Sequence, residues 1–174
     1  MPQLETPRCL IANLPEIEYS VSNSSFICGR TGYLIEATLL SHGYTVLIKA
    51  TTAEKRPRLK VEAANYRHLR NLQGQIIPTY LGIFNPRVSY WYHGQRMGQM
   101  MILSYSGRRL QFVLNDENRD FFHQEREKAL DVFRSHGVVH RDSDWRNMLW
   151  DDRGCRLMVI GLEDLGTVKA PSRP

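Results

Sequence analysis

The sequence predicts an α+β fold in which a strand-rich half with one helix precedes a shorter helical half. Short runs of β-forming residues, separated by Gly-containing turns, concentrate before residue 105, and one long stretch with helical periodicity follows. The 174 residues have room for one domain, or for part of a larger one. We predict an N-terminal extension over 1–25, a strand-rich region over 26–104 and a partial helical region over 105–174.

Three strands are predicted within residues 26–50, at 26–28, 33–40 and 44–48. A helix is predicted over 59–72, where apolar residues recur at three- and four-residue steps. Pro57 lies just before this stretch, where the beginning of a helix tolerates proline. The segments 88–92 and 99–104 are predicted to pair as two strands across the turn between them.

The second half begins with a predicted helix over 119–135, ended by Gly137. The apolar positions on its buried side are Phe122, Ala129, Val132 and Phe133. A hairpin is predicted to follow, with strands at 148–150 and 156–160 and a turn over 151–154.

Composition limits the location and the partners. No apolar run approaches the roughly 18 to 20 residues of a membrane span, so we expect no membrane association. Three scattered cysteines fit neither a disulfide framework nor a zinc site, which indicates a reducing compartment, either cytoplasmic or nuclear. The net charge of +5 favours anionic partners, but no nucleic-acid-binding motif is visible, and we do not expect a nucleic-acid partner.

The stretch from His140 to Trp150 carries the most specific chemical pattern, H-R-D-x-x-x-x-N followed by a short apolar run. A loop of this length between a helix and a strand can bring Asp142 and Asn147 to one metal-phosphate site. The spacing resembles the catalytic loop of protein-kinase-like folds, which implies that these two residues are the catalytic candidates and that Asn147 is also a candidate magnesium ligand.

Lys49 closes the apolar strand that begins at Val46, and Glu62 lies on the buried stripe of the helix that follows. A buried carboxylate needs a partner, so we predict that Glu62 pairs with Lys49 and holds its ammonium near nucleotide phosphates. The alternatives are a solvated lysine at a strand end and a glutamate at the edge of the stripe.

Two further segments are candidates for nucleotide binding. Gly29 and Gly32, three residues apart, could offer backbone amides to phosphate, although such a pair is also common in hairpin turns. Ser104, Tyr105 and Ser106 follow an apolar strand and resemble the hinge of protein-kinase-like domains, which implies that their backbone groups contact an adenine base; the alternative is an ordinary turn.

Taken together, residues 26–166 resemble a protein-kinase-like domain, and the wording around Trp145–Trp150 is similar to divergent kinase-like families of filamentous fungi. The resemblance implies a kinase-like N-lobe, with an antiparallel sheet and one helix, and a helical C-lobe truncated after the catalytic loop. It also implies ATP and Mg²⁺ as cofactors.

The sequence departs from this family at the residue that should bind metal after the strand 157–160. Gly161 stands there, and Asp164 is the nearest acidic alternative. We therefore expect a pseudokinase that acts mainly by binding a partner. The alternatives are an ATP-dependent protein kinase with Asp142 as its catalytic base, and a truncated product without activity.

The resemblance also implies that later helices, which this chain lacks, would cover part of its apolar surface. The side chains expected to be left uncovered are Phe121, Phe122, Val132, Phe133 and Trp145. We therefore expect a protein partner or a second copy of the chain to cover them, and the basic surface suggests an acidic partner.

Overall fold

The computed structural model describes residues 19–21, 32–39, 43–87, 90–92 and 94–168, and the predicted strand at 26–28 lies outside them. The described residues form two compact units, and each is considered by itself. Unit 1 contains the described residues up to Ala64 together with Thr79–Tyr105. Unit 2 contains Asn65–Pro78 together with the described residues from Ser106 onward. The predicted regions are contiguous in sequence, whereas both of these units are discontinuous.

Unit 1 is built on an antiparallel sheet. Its strands are β1 (Tyr19–Val21), β2 (Tyr33–Leu39), β3 (Tyr44–Thr51), β4 (Tyr80–Phe84) and β7 (Gln99–Ser104). They lie in the order β1-β2-β3-β7-β4. A separate hairpin consists of β5 (Tyr90–Tyr92) and β6 (Gln95–Met97). The core against this sheet contains Ile35, Ala37, Val46, Ala50, Met97, Met100 and Ile102.

Helix α1 (Arg56–His68) follows β3 after a short 3₁₀ turn at Ala53–Lys55. Leu59, Ala63 and Tyr66 are buried at the three- and four-residue steps that predicted the helix. The helix ends earlier than the predicted residue 72, and a second 3₁₀ turn covers Arg70–Leu72. The boundary between the two units falls within α1.

The predicted pairing of the segments 88–92 and 99–104 is wrong. Strand β5 pairs with β6, and β6 lies in the stretch that was predicted to be a turn. Strand β7 instead pairs with β3 on one side and β4 on the other. The apolar run of β7 is buried almost throughout, as expected for a strand with neighbours on both sides rather than a hairpin arm.

The described part of unit 2 contains helix α2 (Arg119–Ser135) and two groups of short strands. The strands are β8 (Arg108–Arg109), β9 (Val138–His140), β10 (Met148–Asp151), β11 (Arg156–Val159) and β12 (Leu165–Thr167). Strands β11, β10 and β8 form one antiparallel sheet, and β12 pairs with β9. The predicted helix and the predicted hairpin of β10 and β11 are both confirmed.

Residues 65–78 are tied to unit 2 by hydrogen bonds. The Val159 N–H donates to the Ile76 carbonyl at 2.7 Å, and the Arg156 guanidinium donates to the Gly74 carbonyl at 2.6 Å. The Asn65 amide also donates to the Leu162 carbonyl at 2.6 Å. These bonds join an early stretch of the chain to a late one.

Most of the apolar side chains that were expected to be uncovered are at least half-buried in unit 2. Phe122 and Phe133 are buried, and Val132 and Trp145 are half-buried, because α2 packs against β9 and β11. Phe121 is 47% exposed. The short chain therefore covers most of these side chains itself.

The α+β class is confirmed, with antiparallel sheets and two helices in the described part of the chain. The division into kinase-like lobes is not established by this architecture. Across the described ranges, neither helix has the length and apolar character needed to cross a membrane.

Candidate functional site

The Lys49–Glu62 pair is the most tightly held ionic contact at a predicted site residue of unit 1. Lys49 lies on β3, opposite Leu34 of β2 and Met101 of β7, and Glu62 lies on the buried face of α1. The Lys49 Nζ donates to Glu62 Oε2 at 2.5 Å. The side chains are 13% and 1% exposed, respectively, so this pair is largely removed from water. The predicted pairing is confirmed, while the role of the pair in binding a cofactor stays a prediction.

Gly32 precedes β2 and lies directly against the backbone of β3. A Cβ atom at this position would collide with the carbonyl group of Ala50 and would lie 3.3 Å from the Thr51 Cα. Glycine is required here by close packing of two chain segments. Gly29 lies outside the described residues, so the predicted pair of glycines is described only at Gly32.

The segment 104–106 is anchored at its first residue. The Ser104 N–H donates to the Thr79 carbonyl, and the Thr79 N–H donates to Ser104 Oγ, both at 2.9 Å. A base contact through the Ser104 N–H would have to compete with the first of these bonds. Tyr105 is exposed and Ser106 is buried. Contact of these residues with an adenine base stays a prediction.

In unit 2, the Asp142 loop is held by its own polar groups. Asp142 Oδ1 accepts from Arg146 Nη2 at 2.6 Å, and the Asp142 carbonyl accepts from Asn147 Nδ2 at 2.8 Å. The side chain of Asp144 caps the 3₁₀ turn Trp145–Asn147 by accepting from the Arg146 N–H at 3.0 Å. The hydrogen bond to Asp142 raises the pKa of Arg146, which favours the charged guanidinium.

Gly161 fits this loop for a steric reason. Its φ of +75° lies in the left-handed region, and a Cβ atom there would lie 2.7 Å from the Asn147 Oδ1. The Asn147 carbonyl also accepts from the Ile160 N–H at 2.8 Å. The Asn147 amide therefore occupies the space that a side chain at residue 161 would need.

The proposed magnesium ligands have protein partners. Asn147 bonds to Asp142, and Asp164 Oδ1 lies 3.7 Å from Arg141 Nη1. The Arg141 N–H also donates to the Asp164 carbonyl at 3.0 Å. Within the described ranges, no group of three or more His, Cys, Asp and Glu side chains is arranged to hold a metal ion. These donors do not assemble a metal site of their own, and magnesium binding stays a prediction.

His140 is the buried titratable group beside this loop. Its Nε2 lies 3.2 Å from the Ile160 carbonyl oxygen, which can only accept, so Nε2 carries the proton. Burial lowers the pKa of His140, and the nearby charges of Asp142, Glu163 and Asp164 act in the opposite direction. Burial therefore favours the neutral form of the His140 imidazole.

Sequence reasoning missed the arginines that neutralise the two predicted acidic residues. Arg146 follows Asp142 by four residues, and this spacing could have suggested their ion pair. Arg141 pairs with Asp164 through the contact of β9 and β12, which has no local signal in the sequence.

The chain is similar in sequence to a protein of known role. The chain is 30% identical over 147 residues to the meiotic driver SPOK2 of Podospora anserina. The alignment covers 84% of this chain and 18% of that protein, so the chain spans less than a fifth of the relative's length. No protein-family model matches the chain.

These comparisons correct the kinase-like identification. The similar protein is a meiotic driver, and no kinase family model matches. The pseudokinase function and the alternative of an ATP-dependent protein kinase with Asp142 as base are therefore wrong. The structure supplies a physical reason for the misleading pattern, because Asp142 and Asn147 are engaged in holding their own loop.

Proposed function

We propose that this chain is part of a protein of the meiotic-driver type and that unit 1 binds an adenine nucleotide such as ATP. The first part is supported by the 30% identity to SPOK2, in an alignment that covers 18% of that protein. The second part is carried by one observation, the buried pair of Lys49 and Glu62.

The geometry of the pair supports phosphate binding. Lys49 extends from a strand with neighbours on both sides, and the Glu62 carboxylate on α1 fixes its ammonium. An ammonium has three N–H donors, so the bond to Glu62 is compatible with a further contact to a phosphate oxygen. Lysine is a common phosphate ligand because it provides a compact positive charge.

Magnesium enters this proposal as the ion that accompanies a nucleotide triphosphate in solution. Asn147 and Asp164 are its proposed ligands from the sequence, but both have protein partners. Phosphate contact through Lys49 does not depend on a protein-held metal, and the two parts can be tested separately.

We also propose that a protein partner or a second copy of the chain binds unit 2, now on the basis of two exposed aromatic side chains. Phe112 and Phe121 of unit 2 are 61% and 47% exposed. Exposed aromatic side chains are typical of protein interfaces. A cytoplasmic or nuclear location remains part of the proposal, supported by the exposed free thiol of Cys155, which fits a reducing compartment.

Calorimetric titration with ATP and with adenosine tests nucleotide binding. Lys49→Met should weaken ATP binding by about 1 to 3 kcal/mol, or roughly 5- to 150-fold, because a charge-assisted phosphate contact is lost. Adenosine lacks phosphate, so its affinity should change little. Lys49→Arg keeps the charge and should retain part of the ATP affinity. Equal ATP affinity of the folded wild type and the folded Lys49→Met variant would refute the proposal, as would no ATP binding by the wild type.

A further inference from the structure

A second candidate site lies in unit 1, in a cavity of about 260 Å³ that Lys49 and Glu62 do not line. It is formed where the start of α1 and its preceding turn meet the end of β4 and the β6–β7 connection. The lining residues that matter here are Ala53, Arg56, Asn85, Arg96, Met97 and Gly98. The function proposed above makes no use of this cavity.

The charge of the cavity is unbalanced. Arg56 and Arg96 bring two guanidinium groups to its wall, and no acidic side chain lines it among the residues that the structure describes. Among the described side chains, neither arginine has a carboxylate within 4.0 Å. Two like charges around one cavity disfavour each other unless an anion lies between them. The cavity is therefore suited to a negatively charged ligand.

The Arg56 guanidinium is held in place by close packing. A Cβ atom at Gly98 would lie 2.9 Å from both Arg56 Nε and Arg56 Nη2. Glycine at residue 98 thus leaves room for this guanidinium against the β6–β7 connection. The Gly98 backbone is itself fixed, because its N–H donates to the Thr51 carbonyl at 2.7 Å.

Arg56 also presents a donor that the described protein groups do not satisfy. Its Nε atom is buried and has no hydrogen-bond partner among them. Buried N–H groups are nearly always paired, so an unpaired one on the wall of a cavity indicates an acceptor from outside the chain. Asn85 Oδ1 accepts from Gln99 Nε2 at 3.2 Å, which leaves the Asn85 amide N–H₂ as another donor at the same wall.

We propose that this cavity binds a phosphate group carried by a small molecule. Two guanidiniums match the double negative charge of a phosphomonoester, and the fork of N–H groups on arginine fits phosphate oxygens. The volume lies near the lower end of ligand pockets, so it fits a phosphate with a small attached group. The buried Met97 side chain supplies an apolar wall for that attached group.

Nuclear magnetic resonance titration of the whole chain with phenyl phosphate at constant ionic strength tests this site. The amide signals of Ala53 and Gly98 should shift, because both residues line the cavity. Arg56→Gln and Arg96→Gln should each weaken binding by about 10- to 100-fold, as expected for loss of a charge-assisted hydrogen bond. Arg58→Gln is the matched control, since it removes one exposed charge from the same helix without altering the cavity lining.

The outcomes separate this site from the proposed nucleotide site. Shifts confined to residues around Lys49 would overturn the cavity assignment even if phosphate binds. Equal affinities of the Arg56→Gln, Arg96→Gln and Arg58→Gln variants would also overturn it. Benzoate binding as tightly as phenyl phosphate would reassign the cavity to carboxylates. Stronger binding of a phosphoserine peptide than of phenyl phosphate would overturn the small-molecule assignment. Arg96 is exposed, so the Arg96→Gln variant should remain folded. It therefore tests the cavity assignment even if Arg56→Gln does not fold.

Discussion

Glu62→Gln should destabilise the protein strongly, because it leaves the Lys49 ammonium without its carboxylate. At 2.5 Å and an effective dielectric constant of about 20, the attraction between the two charges is about 7 kcal/mol. Desolvation offsets much of this attraction, since Glu62 is 1% exposed. Removal of one partner from a buried pair typically costs about 3 to 5 kcal/mol. For a chain of this size, that corresponds to a fall in Tm of roughly 6 to 20 °C.

The surface pair of Lys128 and Glu125 provides the control. Its Nζ–Oε1 distance of 2.6 Å is similar, but Lys128 is 69% exposed. Glu125→Gln should therefore change the free energy of unfolding by at most about 1 kcal/mol. The double replacement Lys49→Met with Glu62→Leu should be less harmful than Glu62→Gln alone, because no charge is left buried. Thermal unfolding followed by circular dichroism measures all of these variants. If Glu62→Gln lowers the Tm no more than Glu125→Gln does, the Lys49–Glu62 pair is not buried strongly enough to have the predicted effect.

Two further predictions concern unit 2. Burial lowers the pKa of His140, so at acidic pH the unfolded chain binds a proton more readily than the folded one. The free energy of unfolding should be highest above the unfolded pKa of about 6.5 and should fall as the pH drops through that value. Urea unfolding between about pH 7 and pH 5 should show this fall. A His140→Gln variant should lose the part of the pH dependence that His140 causes. An unchanged pH dependence in the variant would contradict the assignment. The exposed Phe112 and Phe121 should promote association, so light scattering across a dilution series should show a mass that falls on dilution. Replacement of both phenylalanines by serine should abolish this concentration dependence. Trp91→Ser is the control and should leave the concentration dependence unchanged, because Trp91 is a similarly exposed aromatic side chain of unit 1. A constant monomer mass for the wild type would contradict the partner proposal.

Local patterns in the sequence predicted the elements whose contacts are local. Helix α2 has the predicted bounds because the apolar spacing from Phe122 to Phe133 and the Gly137 stop lie within one stretch of chain. The β10–β11 hairpin followed from its turn residues in the same way. The Lys49–Glu62 pair was also predictable, because a buried glutamate shortly after a strand-end lysine has few other ways to be neutralised.

Long-range contacts account for the errors. No local pattern in the sequence of β7 indicates that it lies between β3 and β4. The strand nearest in sequence, at 88–92, was therefore predicted as its partner. The cavity arginines Arg56 and Arg96 lie forty residues apart and share no motif. The kinase-like identification failed because a spacing of Asp and Asn fixes the residue types but not the partners that occupy them.

The attachment of residues 65–78 to unit 2 affects how the protein can form during synthesis. This segment leaves the ribosome before β7, yet its partners at Arg156, Val159 and Leu162 emerge long after β7. If unit 1 closes its sheet before those partners emerge, it does so across a connection whose own hydrogen bonds have not yet formed. No single cut of the chain yields either unit whole, so a truncation at residue 105 would leave residues 65–78 without those partners.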